Sequence, residues 1–419
     1  MKTVSCFPWR AKIAALALLG AWFAAPGDGR AQLAATDRDR PAGLTCQKGL
    51  PPEGHVTSNP IACTVSCAKG GKVTPALALA PRTTAGLTIT INGTCIEAVD
   101  QVPGNVTLQG ASSGDGLQAP AASSNPVLGI SGAGVTLDNL TISGGVTALL
   151  VHSGATAVGN NLVIEGSSSQ NVLANGVIRL NSSTIENSSG NGITALSGGI
   201  VFLNGGTVRN NFRGVLVGGG SYLDALGSAV ISDNTRGHGA LVNGSLAVIA
   251  ATIESNSPDG VHVFNGGNAF IAGPGVVNSN ARDGVQVMGG SVELDGVISN
   301  NARHGISVFN SGTAIVDDGA VVASNSANGV LVEDGTVQVG SLGATGSGTI
   351  QSNAANGIYL KTNSVGFFNN AGNQIVSNSG WGILCDGSPA NPLIAIGTAG
   401  TIGTVSGNGA GQISCNIAP

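Results

Sequence analysis

Ionisable side chains recur at one fixed point of a repeated phrase, one residue before a glycine. The residues at this point, which we call the pre-glycine column, are Asn191, Arg213, His238, Asp259, Asp283, His304, Asn328, Asn356 and Trp381. Arg282 and Arg303 stand one position earlier in their repeats. His262 and Gln286 stand two positions after their glycines. Three of the five histidines thus fall within four successive repeats of a chain that is only 9% charged, and such a concentration indicates a site.

This combination of side chains suits acid–base chemistry on an acidic polysaccharide. A lyase or epimerase must neutralise a uronate carboxylate and remove the neighbouring proton, and arginine and histidine perform these two tasks. The candidate substrate-binding residues are Arg213, Arg282, Gln286 and Arg303. The candidate catalytic residues are His238, Asp259, His262, Asp283 and His304.

Two further interpretations of the same column stay open. Asp259 and Asp283, one repeat apart, are expected ~5 Å from each other, which suits a Ca²⁺ ion or the carboxylate pair of a retaining glycosidase. Alternatively, the column is a solvated face, because Asp or Asn before Gly is ordinary turn chemistry and Arg282 would offset the stacked acids. We assign no metal ligands and no cofactor to this column, where Ca²⁺ is the ion considered.

The repeat itself defines the elements that hold these residues. About ten times from Ile185 onward, an Ile or Val is followed three residues later by Asn, four further on by Gly, and then by an alternating aliphatic pair. The glycines are 21 to 28 residues apart, and this period is typical of a solenoid. The alternation after each glycine predicts a half-buried strand. Too few residues separate the strands for helical crossovers, so the strands belong to successive coils.

The repeated asparagines form a second column when each coil stacks on the next. Its members are Asn211, Asn234, Asn256, Asn280, Asn301, Asn325, Asn353, Asn378 and Asn408. Side-chain amides stacked in this way bond to the coils above and below. Asn and Gly also tolerate left-handed backbone, so we assign the repeat Asn and Gly to the sharp corners between strands.

The repeated phrase resembles the coil of right-handed parallel β-helix proteins, the pectate-lyase-like superfamily, over residues 86 to 417. The resemblance implies an all-β, right-handed parallel β-helix of about 13 coils, ~60 Å long. The 67 glycines and 3% aromatic content agree with a thin core of stacked Val, Ile and Ala. Gly237-His238-Gly239 resembles one element of the polygalacturonase signature, whose other elements are missing. The resemblance therefore implies a fold and leaves the activity undecided.

The start of the chain has the features of an export signal. Lys2, Arg10 and Lys12 precede an apolar run over residues 13–25, which predicts a signal peptide over residues 1–31. Its removal takes away four cations and one acid, leaving 13 Lys and Arg against 21 Asp and Glu, so nucleic acid is not an expected partner. The run is too short to span a membrane. We expect a secreted or periplasmic protein with no membrane span after cleavage.

The remaining chain divides into a short N-terminal segment and the repeat domain. Residues 32–72 are rich in Pro, Gly and polar residues, and residues 73–80 are a short apolar run that predicts a small helix. This helix is expected to cover the open end of the first coil, where unpaired strand edges would otherwise be exposed. We predict a Cys-containing segment and cap over residues 32–85, and a parallel β-helix domain over residues 86–419.

Six cysteines remain after the predicted cleavage, and they avoid the middle of the repeats. Cys385 and Cys415 fall at matching points of neighbouring coils, where a Cα separation of ~4.8 Å permits a disulfide. The other four allow three full disulfide pairings and are Cys46, Cys63, Cys67 and Cys95. A zinc site made by these four is the rival interpretation, which export disfavours.

Two classes of function follow from these observations. The first is an exported, monomeric β-helix protein that binds a polysaccharide or serves a surface or structural role. The second is a polysaccharide lyase, hydrolase or epimerase acting on acidic glycans. The sequence does not decide whether the protein is an enzyme. A narrow, deep cleft over His238 to His304 would favour the enzyme, and a flat open face would favour the non-catalytic rod.

Overall fold

The described part of the chain consists of nearly all residues after the N-terminal forty. The computed structural model describes residues 41–47, 50–51, 53–121, 123–341, 346–386, 393–396, 402–415 and 417–418. The predicted signal peptide, residues 1–31, lies outside these ranges. Among the described residues, no helix is long and apolar enough to cross a membrane.

Three long sheets, which we call sheets A, B and C, are visited in turn by each coil of the chain. Sheet A has the strands Leu44–Cys46, Ile61–Ser66, Leu87–Asn92, Val106–Gly110, Val135–Asp138, Thr156–Asn160, Val177–Asn181, Ile200–Asn204, Tyr222–Leu226, Ser245–Ile249, Asn268–Ala272, Ser291–Leu294, Thr313–Val316, Thr336–Val339, Val365–Phe368, Leu393–Ile396 and Ile417–Ala418. Sheet B has the strands Thr94–Ile96, Gly116–Gln118, Thr141–Ser143, Val163–Glu165, Thr184–Glu186, Thr207–Arg209, Val230–Ser232, Thr252–Glu254, Val276–Asn278, Val297–Ser299, Val321–Ala323, Thr349–Gln351, Gln374–Val376 and Thr404–Ser406. Sheet C has the strands Val99–Val102, Leu128–Ile130, Thr147–Val151, Gln170–Ala174, Asn191–Ala195, Arg213–Val217, Ala240–Val242, Val261–Phe264, Val285–Met288, Ile306–Phe309, Val330–Glu333, Ile358–Leu360, Trp381–Cys385 and Gly411–Ile413.

The strand pairing confirms the predicted all-β parallel β-helix. Neighbouring strands in each sheet come from successive coils and pair in parallel, except that Leu44–Cys46 runs antiparallel to Ile61–Ser66. Sheets B and C each contain 14 strands, so the described chain makes 14 coils where about 13 were expected. Parallel pairing begins at Ile61–Ser66, which lies inside the segment that the sequence assigns to the cap. This strand is not evident in the sequence because Pro and Gly stand on both sides of it.

The interior is filled by alternate side chains of every strand. Within Val261–Phe264, the two valines are fully buried, whereas His262 and Phe264 are half-buried. The parallel register places equivalent residues of successive coils side by side, so His262 lies opposite Gln286. A residue type repeated in the sequence therefore becomes a continuous column in the fold.

A ladder of buried asparagines connects the coils, as the sequence predicts. Asn256 donates from its Nδ2 to the Oδ1 of Asn280 at 3.2 Å, and Asn280 donates in the same way to Asn301 at 3.0 Å. Each of these oxygens also accepts the main-chain N–H of the preceding ladder residue, at 3.0 Å in both cases. The second Nδ2 hydrogen of Asn280 reaches the carbonyl of Ile253 at 3.4 Å. The ladder thus satisfies main-chain groups at a corner that is sealed from water.

Glycine is required in each repeat for a different reason from the one expected from the sequence. The left-handed residue is the one before each ladder asparagine, such as Ser255 with a φ of 56° and Ser279 with a φ of 53°. The repeat glycine is not left-handed and instead provides room. A Cβ at Gly329 would lie 2.6 Å from Cγ2 of Ile350 and 2.7 Å from Nδ2 of Asn353. The assignment of the repeat Asn and Gly to left-handed corners was therefore wrong.

A short helix covers the first coil, as predicted. The α-helix Val73–Leu77 lies between two short 3₁₀ turns, Cys67–Lys69 and Ala80–Arg82, and buries three apolar side chains against the first strands. The buried carboxylate of Glu97 accepts the N–H groups of Val73 at 2.5 Å and of Thr74 at 3.3 Å. Because these N–H groups have no partner within the helix, Glu97 fixes the cap to the first coil.

Three disulfides lie near the two ends of the described chain. The predicted Cys385–Cys415 bridge is confirmed, with a Cα separation of 5.1 Å. The four N-terminal cysteines form the bridges Cys46–Cys63 and Cys67–Cys95, so the zinc alternative is wrong. Structural disulfides persist in oxidising compartments, and the protein is accordingly extracellular or periplasmic.

The ladder predicts that substitutions at two adjacent asparagines differ greatly in how much they lower the free energy of unfolding. Asn301→Asp removes the donor to Oδ1 of Asn325 and buries a negative charge between oxygens, so it should lower the free energy of unfolding by about 3 kcal/mol or more. Asn300 is exposed and left-handed, with a φ of 56°, so Asn300→Asp should cost less than about 0.5 kcal/mol. Urea unfolding followed by circular dichroism measures both, and equal midpoints would contradict the ladder's role.

The packing role of the repeat glycine predicts a second contrast. Gly329→Ala forces a methyl group into backbone and side chains of the next coil, which should cost about 1–3 kcal/mol. Gly219 is outside the left-handed region and its nearest neighbour would be 3.9 Å from an added Cβ, so Gly219→Ala should be tolerated. Thermal unfolding of the two variants checks this, and a stable Gly329→Ala protein would refute the close contact.

Candidate functional site

The pre-glycine column lies where the chain enters the strands of sheet C. Main-chain bonds join it from coil to coil, since Gly239 donates to the carbonyl of Asp259 and Gly260 to that of Asp283, both at 3.0 Å. A second column, outward on the strands, is in register order Leu216, Leu241, His262, Gln286, Ser307, Leu331 and Tyr359. A third column, two residues further along, is Phe264, Met288, Phe309 and Glu333. We call these three columns, together with Arg282 and Arg303 next to the first of them, the sheet C face.

Asp259 is the centre of the first cluster on this face. Its side chain is fully buried, and its Oδ2 lies 3.2 Å from Nδ1 of His238 and 3.9 Å from Nδ1 of His262. Its Oδ1 accepts the N–H of Asp283 at 3.1 Å and lies 3.7 Å from Nε of Arg282. The two imidazole rings are 4.5 Å apart. Two adjacent coils thus bring together three predicted site residues, His238, Asp259 and His262.

One carboxylate oxygen of Asp259 has close neighbours but no hydrogen bond. Oδ2 and the Nδ1 atoms of His238 and His262 are all buried, and none of the three meets hydrogen-bond geometry. Burial acts to raise the pKa of Asp259, but attraction from His238 and His262, with the N–H of Asp283, outweighs burial and holds that pKa well below its ordinary value. Asp259 is therefore ionised at neutral pH, with Oδ2 facing two imidazoles.

Asp283, one coil further on, is bound on all sides. Its carboxylate accepts from Nε of Arg303 at 2.7 Å, from a second nitrogen of the same guanidinium, from the hydroxyl of Ser307 at 2.6 Å and from the N–H of His304 at 3.2 Å. The side chain is fully buried, so neither Asp283 nor Asp259 belongs to a solvated turn surface. The pair with Asp283 raises the pKa of Arg303. Asp283 thus acts here as a support that orients Arg303.

His304 is held in its neutral form. Burial lowers the pKa of His304, and the nearby cations Arg303 and Lys361 lower it further against the opposing charge of Asp283. The main-chain N–H of Asn328 donates to Nδ1 of His304 at 3.3 Å, which requires that nitrogen to be unprotonated. The predicted acid–base residue is therefore a hydrogen-bond acceptor at this position.

The predicted substrate-binding residues differ in their exposure. The side chains of Arg282 and Arg303 are 43% and 38% exposed, although the carboxylates beside them are fully buried. Arg213 is half-buried, donates to Oδ1 of Asn191 at 3.0 Å and leaves its Nε without a partner. Gln286 is buried between its register neighbours and does not reach far into solvent. The guanidinium groups of Arg282 and Arg303 therefore reach the surface of the sheet C face, whereas the carboxylates of Asp259 and Asp283 do not.

An apolar stripe on the same face was not recognised in the sequence. Phe264, Met288 and Phe309 are half-buried and stand in register on three successive coils, beside His262. The rings of Phe264 and His262 meet edge to face with centroids 5.9 Å apart. Extending the period-two alternation of each strand by two residues beyond the second column would have identified this stripe.

Comparisons with known proteins give a likeness in fold at low similarity. No family model and no curated protein matches the chain. The periplasmic alginate epimerase AlgG is 11% identical, with 92% of this chain and 95% of that chain covered and a TM-score of 0.43. The Dettilon tailspike protein is 12% identical over 84% and 68% of the two chains, with a TM-score of 0.35. The Azotobacter vinelandii mannuronan C-5 epimerase AlgE4 A-module is 11% identical over 83% and 92%, with a TM-score of 0.32.

These values are too low to support an argument about activity. The class of protein, a parallel β-helix, rests on the strand pairing of this chain itself. A fold of this kind does not determine an activity.

The neutral state of His304 predicts a pH dependence with a definite sign. The folded-state pKa lies below the ordinary value of ~6.5, so the unfolded chain takes up the proton first as the pH falls. The contribution of His304 to stability is therefore present above about pH 6.5 and is lost at lower pH. His304→Gln should flatten the fall in unfolding temperature between pH 7.5 and 5.5. His55→Gln, at an exposed histidine, is the control, and an unchanged slope in His304→Gln would contradict the assignment.

Proposed function

We propose that the protein is exported as a monomer and binds an acidic polysaccharide along the sheet C face. The observation that carries this proposal is that the acids of the site are buried while the neighbouring arginines are exposed. Asp259 and Asp283 are fully buried, while the guanidiniums of Arg282 and Arg303 above them are about two-fifths exposed. A chain with a formal net charge of −5 therefore presents cations at this face. Guanidinium groups bind carboxylates through paired N–H donors, and a uronate supplies one carboxylate for each sugar.

The geometry of the face matches an extended polymer. Arg213 and Arg303 lie four coils apart, which corresponds to ~19 Å along the stack. The stripe of Phe264, Met288 and Phe309 runs parallel to the arginines, with the second column of the face between them. Half-buried apolar side chains gain free energy when a sugar ring covers them, and aromatic rings provide the largest such area. Cationic and apolar columns in parallel suit a chain of charged sugar rings.

A second candidate function, catalysis on the same glycan, rests on the Asp259 cluster. His238 and His262 are partly exposed, with 18% and 14% of their side chains accessible, and a buried carboxylate lies behind both. An acid that orients an imidazole at a surface is the arrangement used for general acid–base catalysis. A lyase or epimerase would use such an imidazole to move the proton beside the uronate carboxylate.

Binding is tested with purified mature protein and two soluble polymers, polygalacturonate and neutral dextran. Calorimetric titration should give an affinity for polygalacturonate that falls with added salt, and no affinity for dextran. Arg282→Gln should weaken polygalacturonate binding about tenfold, because one charge-assisted contact is lost. The control is Arg209→Gln, which removes an arginine of similar exposure on sheet B and should leave binding unchanged.

The apolar stripe provides a second pair of variants. Phe309→Ala should weaken polygalacturonate binding several-fold through the loss of apolar contact, whereas Phe367→Ala, at an exposed ring on sheet A, should have no effect. Equal binding by Arg282→Gln, Phe309→Ala and the unchanged protein would refute the proposed face.

The catalytic candidate is tested in the same samples. Unsaturated products are followed by ultraviolet absorbance, and new reducing ends are measured separately. Product that disappears in His262→Gln would establish an enzyme at this face, and binding without product would leave the non-catalytic function.

A further inference from the structure

Three buried ligand atoms converge on one point between two coils. Oδ2 of Asp259 and the Nδ1 atoms of His238 and His262 are each buried and each without a hydrogen bond. Unpaired polar atoms are costly inside a protein, because they have given up water without gaining a partner. Three such atoms directed at the same small volume indicate a missing common partner.

The distances between these atoms suit a metal ion. The donor atoms of His238, Asp259 and His262 all lie within 4.8 Å of one another. The separations from Oδ2 of Asp259 are 3.2 Å to His238 and 3.9 Å to His262. A tetrahedral ion with bonds of ~2.0–2.1 Å places its ligands ~3.3 Å apart, so small side-chain rotations bring the three atoms to that geometry. Within the described residues, this is the one set of three such groups that meets these limits.

We propose that His238, Asp259 and His262 form a binding site for a divalent transition-metal ion of the zinc type. Two imidazole nitrogens and one carboxylate oxygen are the ligands that zinc prefers, whereas Ca²⁺ takes six to eight oxygens. The ligands come from two adjacent coils that the main-chain ladder holds in register, so the site is largely formed before the ion binds. The side chains of His238 and His262 are 18% and 14% exposed, so the fourth ligand of the ion, a water molecule, would enter from their solvent side.

The two oxygens of Asp259 have separate roles in this site. Oδ1 accepts the N–H of Asp283, and this bond fixes the carboxylate so that Oδ2 points at the imidazoles. Arg282 approaches Oδ1 at 3.7 Å and carries a positive charge that opposes a bound cation. The guanidinium is 43% exposed and can move outward when an ion is present. Arg282→Gln should therefore bind the metal more tightly, although the same substitution is expected to weaken glycan binding.

The site is tested by titrating Zn²⁺ into chelator-treated mature protein, followed by calorimetry. One equivalent should bind, and Ca²⁺ in excess should not compete. His238→Gln and His262→Gln should each weaken binding about 100-fold or more. His304→Gln removes a histidine of the same face that lies outside the cluster, so it should bind as the unchanged protein does. Thermal unfolding of every variant checks that the fold is retained.

A spectroscopic readout does not depend on any substitution. Co²⁺ added in place of zinc should give the visible absorption of a low-coordinate ion with nitrogen ligands, and Zn²⁺ should abolish it. Absence of this absorption in the unchanged protein overturns the site. So does Zn²⁺ affinity that is equal in the unchanged protein and in the double variant of His238 and His262, since binding would then occur at other surface groups. Glycan binding is measured separately, so either proposal can fail alone.

Discussion

The structure depends on one constraint, the in-register stacking of coils around a buried asparagine ladder. The ladder oxygens of Asn256, Asn280 and Asn301 each accept both a side-chain and a main-chain N–H from the preceding coil. A coil that shifted by one residue would lose these bonds and would turn its buried valines outward. The glycine of each repeat reinforces the constraint, because only a residue without Cβ admits the ladder amide and an aliphatic side chain of the next coil.

Because the coils stack in register, ionisable residues at the same point of successive repeats lie next to each other in columns. In most folds, ionisable residues 20 to 25 positions apart in the chain have no fixed relation, but here they become neighbours at the spacing of strands. Asp259 and Asp283 are consequently bonded through the main-chain N–H of one and the carboxylate of the other. Two stacked acids are stable in the interior because each has nearby cationic or imidazole groups. Two of these cationic groups, the guanidiniums of Arg282 and Arg303, extend from the buried acids to the surface.

Much of this could be predicted from the sequence, since a strict period determines which residues share a column. The parallel coils, the asparagine ladder, the Cys385–Cys415 bridge and the convergence of His238, Asp259 and His262 all follow from period and spacing. Burial could not be predicted in the same way. Whether a corner residue is solvated depends on the side chains that cover it from adjacent coils, and their directions are not contained in a repeat pattern.

The role of the repeat glycine escaped prediction for a related reason. Its contacts are with atoms of the next coil, not with its own neighbours in the chain, so local turn chemistry gave the wrong explanation.

Asp259 contributes to the fold and also lies at the centre of the candidate site. Its Oδ1 stabilises the fold by accepting the N–H of Asp283, whereas its Oδ2 is buried and has no hydrogen bond. A carboxylate so deeply buried would be destabilising without positive or polar groups around it, and three kinds are within 4 Å: imidazole, guanidinium and main-chain N–H. Only the main-chain N–H is fixed by the coil geometry. The imidazole and guanidinium groups are held by rotatable side chains. A proton or a cation can therefore replace part of the positive charge that they place near Oδ2.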